Sequence, residues 1–495
     1  MEIGRSRIQC VDGKSFYATS HHMKNSCTIR QTVLAESLDL VVSGTLALPD
    51  GRLVHGEVGV RDGRIAAIAD RGELHSSDHV DAGSSLVLPG VVDAHVHTRS
   101  EPAEGLTRAT TAAAAGGVTT LVDMPYDDPT PITTVAAFLD KVAAINREAI
   151  TDVALWATIA KTGGLDEIEE LVSAGACGFK VSTFETHPVR FPRIPDGELY
   201  LAMQRIKAAG SLIAFHAEND DLVRRLSARL EASGRSDASA HAAARPPVAE
   251  TEAVGRALEL ALATGVRVHI VHATVERAFT LVQRACGDGV DATAETCLHY
   301  LLMDEGELVR QGARAKINPP LRSRHEVERL WQLLAAGDIV YVTTDHVGWT
   351  RDRKETPSIF DAKSGVPALE LFLPLFFHEA VVKRGFSVGR LTELLSENPA
   401  RRLGLWPQKG GLSVGADADI VVFDPKHSWR VDEAKLHTPA GWSPYHGRDV
   451  VGAIEAVFVR GRAVFARREL VGVAGQGRWI RPRNEAALEP VGRAV

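Results

Sequence analysis

Between residues 87 and 404 the chain alternates short apolar runs with longer amphipathic ones. The strand-type runs are Leu86–Val92, Thr119–Met124, Val153–Ile159, Cys177–Val181, Leu212–Phe215, Val266–Val271, Asp291–Tyr300 and Ile339–Thr343. Between most of them lie helix-type segments: Gly105–Ala115, Val135–Ile145, Leu165–Ala174, Leu199–Ala209, Val248–Ala263, Ala278–Arg284 and Val327–Ala335. Continuous apolar strands separated by helices are the pattern of a parallel sheet covered on its faces. Sustained over this length, the pattern predicts a (β/α)8 TIM-like barrel at 87–404.

The ends have a different texture. Leu38–Val42, Leu53–Val60 and Arg64–Ile68 are short β-type runs with turns at Pro49-Asp50-Gly51 and Arg61-Asp62-Gly63. The same texture returns at Ala418–Phe423, Val451–Val459 and Arg462–Val464. We expect 38–86 and 405–470 to build one small β-sandwich from both ends of the chain. Residues 1–37 read as a flexible extension, in which His21 and His22 belong to a disordered tail and Met23 is an alternative start; 471–495 read as a C-terminal tail. Five scattered cysteines without CxxC spacing fit a reduced, cytoplasmic protein. A net charge of −7 without a long basic run offers no nucleic-acid footprint, and no apolar run is long enough to span a membrane.

In such a barrel the chemistry sits at the C-terminal ends of the strands. There the sequence supplies one class of residue repeatedly. The first strand ends Asp93-Ala94-His95-Val96-His97, and alternation along a strand points both imidazoles to one side. The fourth carries Lys180 between Phe179 and Val181. The fifth ends in His216-Ala217-Glu218-Asn219, the sixth holds His269 and His272, and the eighth ends in Thr344-Asp345-His346. One histidine is usually a hydrogen-bonded core residue, and one strand-end aspartate often caps the next helix. Their recurrence at five strand ends points to a divalent-metal site. Lys180 is informative because an ammonium repels a cation, whereas a buried, neutral lysine reacts with carbon dioxide to give a carbamate that bridges two metals.

With these motifs in view, the chain resembles the amidohydrolase superfamily, and within it the cyclic amidohydrolases: allantoinase, hydantoinase/dihydropyrimidinase and dihydroorotase. The resemblance covers residues 38 to 465. It rests on PGVVDAHVH at 89–97, AAAAGGVTTLVDMP at 112–125, GFK at 178–180, HAEN at 216–219, HIVHAT at 269–274, NPPLR at 318–322, TDH at 344–346, SGVPALE at 364–370, ENPAR at 397–401 and GADADIVVFD at 415–424. It implies that His95, His97 and Asp345 hold one divalent metal and His216 and His272 a second. Lys180, as N6-carboxylysine, would bridge them. The metals implied are zinc, with manganese, cobalt and iron as alternatives. Asp93 would orient an imidazole from behind, and His269 would be structural. Asn318 and Ser364 would contact the amide edge of the substrate ring. The implied reaction is hydrolysis of a C–N bond in an allantoin- or hydantoin-like ring. Water held between the cations ionises near neutral pH and attacks the ring carbonyl, and Asp345 carries its proton to the leaving nitrogen. The resemblance further implies a homotetramer acting on a small cyclic amide.

The chain departs from the family in two places. Hydantoinases carry a tyrosine shortly after the bridging lysine; here the stretch is Val181-Ser182-Thr183-Phe184-Glu185, which leaves Ser182 or Thr183 to replace it. Allantoinases and dihydroorotases have an asparagine where this chain has Met124-Pro125-Tyr126-Asp127-Asp128. Arg190 and Arg193 read equally as contacts for an acidic or ureido substituent and as a solvated loop. Dihydropyrimidinase, dihydroorotase and cyclic imide hydrolase activities stay open on this reading. A mononuclear deaminase is disfavoured by Lys180, and an inactive scaffold by the complete ligand set.

Overall fold

The computed structural model describes residues 30–31 and 37–483. The expectations for residues 1–29 and 32–36, with His21, His22 and Met23, lie outside the described residues, as does the stretch from 484 onward.

The eight central strands form two parallel sheets. One holds Val91–Val96, Val118–Asp123 and Asp152–Leu155 in that order. The other runs Phe179–Ser182, Leu212–His216, Arg267–Ile270, Ala292–Cys297 and Tyr341–Thr343. Single parallel bridges, Ala157 to Phe179 and Val96 to His346, join the two sheets at both seams. Nearly every strand residue is buried, which is why these strands read as continuous apolar runs rather than alternating ones. The helices begin and end as their sequences direct. Arg324–Ala336 starts at Ser323, whose hydroxyl accepts from the Glu326 amide, and stops at Gly337 with φ 83°.

The stretch read as one strand from Leu86 is two. His79–Pro89 belongs to the small domain and Val91–Val96 to the central sheets. Gly90 makes the break: a Cβ there would lie 2.0 Å from the Thr119 hydroxyl, so only glycine lets the chain cross from one domain to the other. The seventh strand likewise ends at Cys297, and the remainder of its apolar run is a short helix, Leu298–Leu302.

Strands from both ends of the chain make the small domain. Hydrogen bonding runs unbroken through nine strands, so by pairing this is one mixed sheet rather than the two sheets of a sandwich. The long strand His79–Pro89 causes the continuity: it pairs in parallel with Leu40–Ala47 and antiparallel with Ile420–Arg430. Residues beyond 470 continue along the central domain. The Gly477 amide donates to Ala149 O at 2.9 Å, the Ile480 amide to Val153 O at 2.9 Å, and Trp479 packs edge-on to Phe138. Among the described residues no helix is long and apolar enough to cross a membrane.

A buried ionic cluster ties the two parts together. Lys409 Nζ stands 2.6 Å from Asp152, 3.0 Å from Asp417 and 2.8 Å from Asp419, and Arg460 pairs with Asp152 from the other side. The carboxylates hold the lysine's pKa up, at a level where it stays charged. Lys409→Met leaves three buried carboxylates with Arg460 on Asp152 and only the more distant, half-exposed Arg64 and Arg478 near Asp417. We expect it to cost about 3–5 kcal/mol, read as a lowered denaturation midpoint.

Candidate metal centre and pocket

Six of the residues singled out in the sequence converge on one pocket at the C-terminal ends of the central strands. His95, His97, Lys180, His216, His272 and Asp345 line it together, and Asn318 and Ser364 form part of its wall. Its volume is about 100 Å³. The donor atoms of His95, His97 and Asp345 all lie within 4.8 Å of one another. Asp345 Oδ1 is 3.1 Å from His95 Nε2 and 3.3 Å from His97 Nε2. On the other side His216 Nδ1 and His272 Nε2 are 2.8 Å apart.

The backbone is bent to bring these groups in. His272 and Asp345 both adopt left-handed conformations, with φ 42° and 45°, which cost non-glycine residues of order 1–3 kcal/mol each. Both lie just past a strand end, where the bend turns the side chain back over the strands.

Carboxylates behind the imidazoles decide how each ring faces. Glu295 accepts from His95 Nδ1 at 2.7 Å and reaches His269 Nε2 at 3.2 Å. His269 is thereby consumed, with its other nitrogen on Thr293 Oγ1 and Tyr341 OH also at Nε2, and it stays out of the pocket. Glu218 holds His216 Nε2 at 2.9 Å and is itself paired with buried Arg245. Asp93 does not orient an imidazole. Its carboxylate accepts from the His95 amide and from the hydroxyl and amide of Thr344, and so fixes the backbone on both flanks of the site. Residue alternation turns Asp93 and His95 to the same side, but the carboxylate is spent on the local amides and the Thr344 hydroxyl.

The electrostatics call for positive charge. Burial alone would raise the Asp345 carboxyl, but His95 and His97 outweigh it and hold it well below the usual carboxylate range. Burial would also lower His95, yet Asp345 and Glu295 on either side reverse this and favour its cation. Burial drops His97 to about 4, so it offers a neutral ring. His95 Nε2 and His272 Nδ1 are buried without a hydrogen-bond partner. A divalent cation would give the buried Asp345 carboxylate and the open His95 nitrogen a shared partner, and would fit equally between the facing nitrogens of His216 and His272, so the donor set suits such ions. Burial lowers Lys180 to about 8, against the pull of Asp345 and Glu295, and leaves a sizeable neutral fraction near neutral pH.

Ser182 and Thr183 are not brought to the pocket. The Ser182 hydroxyl donates to Phe184 O, and the Thr183 hydroxyl to Glu218 O at 2.8 Å; both are spent on the backbone. A tyrosine does line the pocket, but it comes from the second strand's exit. Tyr126 donates to Lys180 O at 3.1 Å, and its ring stacks on Phe191 at 3.8 Å between centroids. Beside it Asp127 pairs at 2.5 Å with buried Lys141, which also holds Asp123 at 2.7 Å. The two arginines part company. Arg190 lines the pocket, with Nη1 on Ser100 O and Asp128 Oδ2, both at 3.1 Å. Arg193 lies outside the pocket, 4.0 Å from Asp196. The Arg190 turn is rigid, because His187 Nδ1 accepts from the amides of Val189 and Arg190.

This arrangement is that of a metal-dependent hydrolase, and known proteins agree. A model of the amidohydrolase family matches residues 86–464. The chain is 40% identical over 453 residues to an allantoinase from Rubrobacter xylanophilus, covering 91% of this chain and 99% of that protein. It is 34% identical over 456 residues to an L-hydantoinase from Paenarthrobacter aurescens, covering 91% and 99%. The solved structure of L-hydantoinase (dihydropyrimidinase) from Arthrobacter aurescens matches with TM-score 0.86 and 34% identity, covering 90% of this chain and all of that one. The chain belongs to the amidohydrolase family, whose fold is a TIM barrel with a small added domain.

Glu295 tests the role of the carboxylates behind the rings. Glu295→Gln keeps the shape but removes the charge shared by His95 and His269. We expect metal affinity, measured by chelator competition, to fall about 10–100-fold while the circular dichroism spectrum is unchanged.

Proposed function

We propose that this protein hydrolyses a ring amide in a five-membered cyclic ureide, with allantoin the first candidate and hydantoins next. The observation that carries the reading is the convergence of His95, His97, Lys180, His216, His272 and Asp345 on one buried pocket. Homology supports it: the relatives above are named for allantoin and hydantoin hydrolysis. On this reading the two parallel sheets are the arcs of a closed (β/α)8 barrel, joined at the seams already described.

His95, His97 and Asp345 would hold one divalent ion, and His216 and His272 a second. Zinc suits the imidazole-rich set, with manganese, cobalt or iron as alternatives. Lys180 would bridge them as N6-carboxylysine. Its neutral amine attacks carbon dioxide, an N–C bond forms, one proton is released, and the group becomes an anionic ligand. Burial favours the uncharged amine that this step needs, against the faces of Tyr126 and Phe191, which attract an ammonium. When bound, the two ions lower the pKa of a water and polarise the ring carbonyl.

The chain's own residues do the rest. Asp345, held ionised by His95 and His97, accepts the water's proton and delivers it to the departing ring nitrogen. The Oδ1 atom of Asn318 is buried without a partner and is placed to accept from a ring N–H. Ser364 and Gly365 offer backbone groups on the same wall. Tyr126 and Phe191 close one side and exclude water. The guanidinium of Arg190 has donors left over, since only Nη1 is bonded among the described residues, and it would read the carbonyl of a ureido substituent. We place the protein in the cytoplasm, as a homo-oligomer that is a tetramer by resemblance to its family. Cys177, Cys286 and Cys297 are all unpaired, as a reducing compartment requires.

A panel of rings on metal-loaded protein supplied with bicarbonate tests the reading. Ring opening of allantoin should exceed that of hydantoin, dihydrouracil, dihydroorotate and cyclic imides. Asp345→Asn should lower kcat about 10²–10⁴-fold. Arg190→Gln should raise KM for allantoin about ten- to a hundredfold, the worth of a charge-assisted hydrogen bond, and leave unsubstituted hydantoin within about twofold. Equal losses on both rings would remove the ureido assignment.

A further inference from the structure

Two buried lysines play no part in the chemistry above. Lys354 is fully buried, and its Nζ donates to three carbonyls: Lys316 O at 3.0 Å, Lys363 O at 2.8 Å and Gly365 O at 2.9 Å. Lys316 is also buried, and its Nζ donates to Ile359 O at 2.6 Å, Phe360 O at 3.2 Å and Ala362 O at 2.5 Å. Among the described residues no carboxylate lies within 4.0 Å of either nitrogen, so six carbonyl dipoles are the near partners of two ammonium groups. The face of Trp442 adds to this, 5.5 Å from Lys354 Nζ.

An ammonium buried among neutral groups is expensive, and burial pushes both lysines down, Lys316 to about 7. An apolar residue could fill either space more cheaply. What the ammonium groups accomplish is geometric. Lys354 ties the carbonyl of Lys316 to those of Lys363 and Gly365, drawing together two irregular segments that lie on either side of the helix Arg324–Ala336 and the strand Tyr341–Thr343. Lys316 gathers the intervening turn at 359–362. The Gly365 amide donates back to Lys316 O at 3.0 Å. The same knot fixes Trp349: its indole N–H donates to Ser364 O at 2.8 Å, while its own carbonyl accepts from Trp442 Nε1 at 2.8 Å. Every segment tied here ends at the pocket. Asn318 is two residues from Lys316, Ser364 and Gly365 follow Lys363, and Trp349 faces in beside them.

We propose that Lys354 and Lys316 are positioning residues that set the spacing between the Asn318 edge and the Ser364–Gly365 edge, and so the grip on the amide edge of the substrate ring. The proposal rests on the ring-hydrolysis reading and adds to it the origin of the pocket's fixed width. Neither lysine touches the ring or a metal ligand. Their loss should therefore act on binding and leave the metal centre intact.

The test uses Lys354→Met and Lys316→Met in the full-length, metal-loaded protein, with the ring amide the wild type turns over best. We expect KM to rise about tenfold or more in Lys354→Met and severalfold in Lys316→Met. Metal content should equal that of the wild type, and kcat should change much less than KM. Folded variants with unchanged KM, even with a lowered melting temperature, would reduce the lysines to structural roles and overturn the proposal. Loss of bound metal would overturn it too. If neither variant folds, hydrogen exchange on the wild type decides: slow exchange of the Gly365 amide, at the rate of core strands, supports the proposal, and exchange within seconds overturns it. A wild type that opens no ring amide would instead bring down the reading on which the proposal stands.

Discussion

A buried imidazole must have both its nitrogens answered, and this requirement organises the centre of the molecule. Glu295, Glu218 and Glu104 each take one nitrogen of a histidine, on His95, His216 and His346 in turn. His346 then accepts from the Ala368 and Leu369 amides through its other nitrogen, so it is fully occupied and turned from the pocket. His269 is occupied in the same way. Among the pocket rings His95 and His272 each keep a nitrogen without a hydrogen-bond partner; outside the pocket His299 does so too. A carboxylate thus stands behind candidate ligands and structural histidines alike, and what separates them is whether the other nitrogen is taken by a group outside the pocket. A site held in this way is rigid before anything binds to it, as metal catalysis requires.

Much of this was legible in the sequence because barrel strands carry their chemistry at one end. His95 and His97 declare themselves by alternation, Lys180 by its apolar neighbours, and Asp345 by its place after a buried run. The supporting residues were not legible in the same way. Glu295 lies 200 positions from His95, and only the parallel packing of strands brings them together. Lys141 sits in a helix and Arg245 just past the end of one, where a lone basic residue reads as surface, yet each is buried against carboxylates. Nothing local marks Tyr126 as part of the pocket either. The strand ending at Asp123 aims it there, whereas the sequence points only to the stretch after Lys180, where the family's tyrosine is absent. Ser182 and Thr183 failed for the opposite reason: their positions suit a pocket, but nearby backbone groups claim their hydroxyls. The break at Gly90 was hidden because the apolar run crosses two domains without a change of composition.

The pocket combines two kinds of wall. The metal side is made of strand ends and is stiffened by buried carboxylates. The substrate side is made of loops, and its stiffness comes from elsewhere: the His187 turn that holds Arg190, the Tyr126–Phe191 stack, and the lysine-tied segments carrying Asn318, Ser364 and Gly365. This division suits a family in which one hydrolytic centre serves several rings. Loops vary the ring that is accepted while the strands keep the chemistry.

Metal counting tests the proposed two-metal centre bridged by Lys180 most directly. Wild type and Lys180→Ala would be loaded with zinc in the presence of bicarbonate, freed of excess ion, and assayed by elemental analysis. The expected result is two ions per chain in the wild type and no more than one in the variant. A wild type that holds a single ion, or a variant that still holds two, would contradict the account.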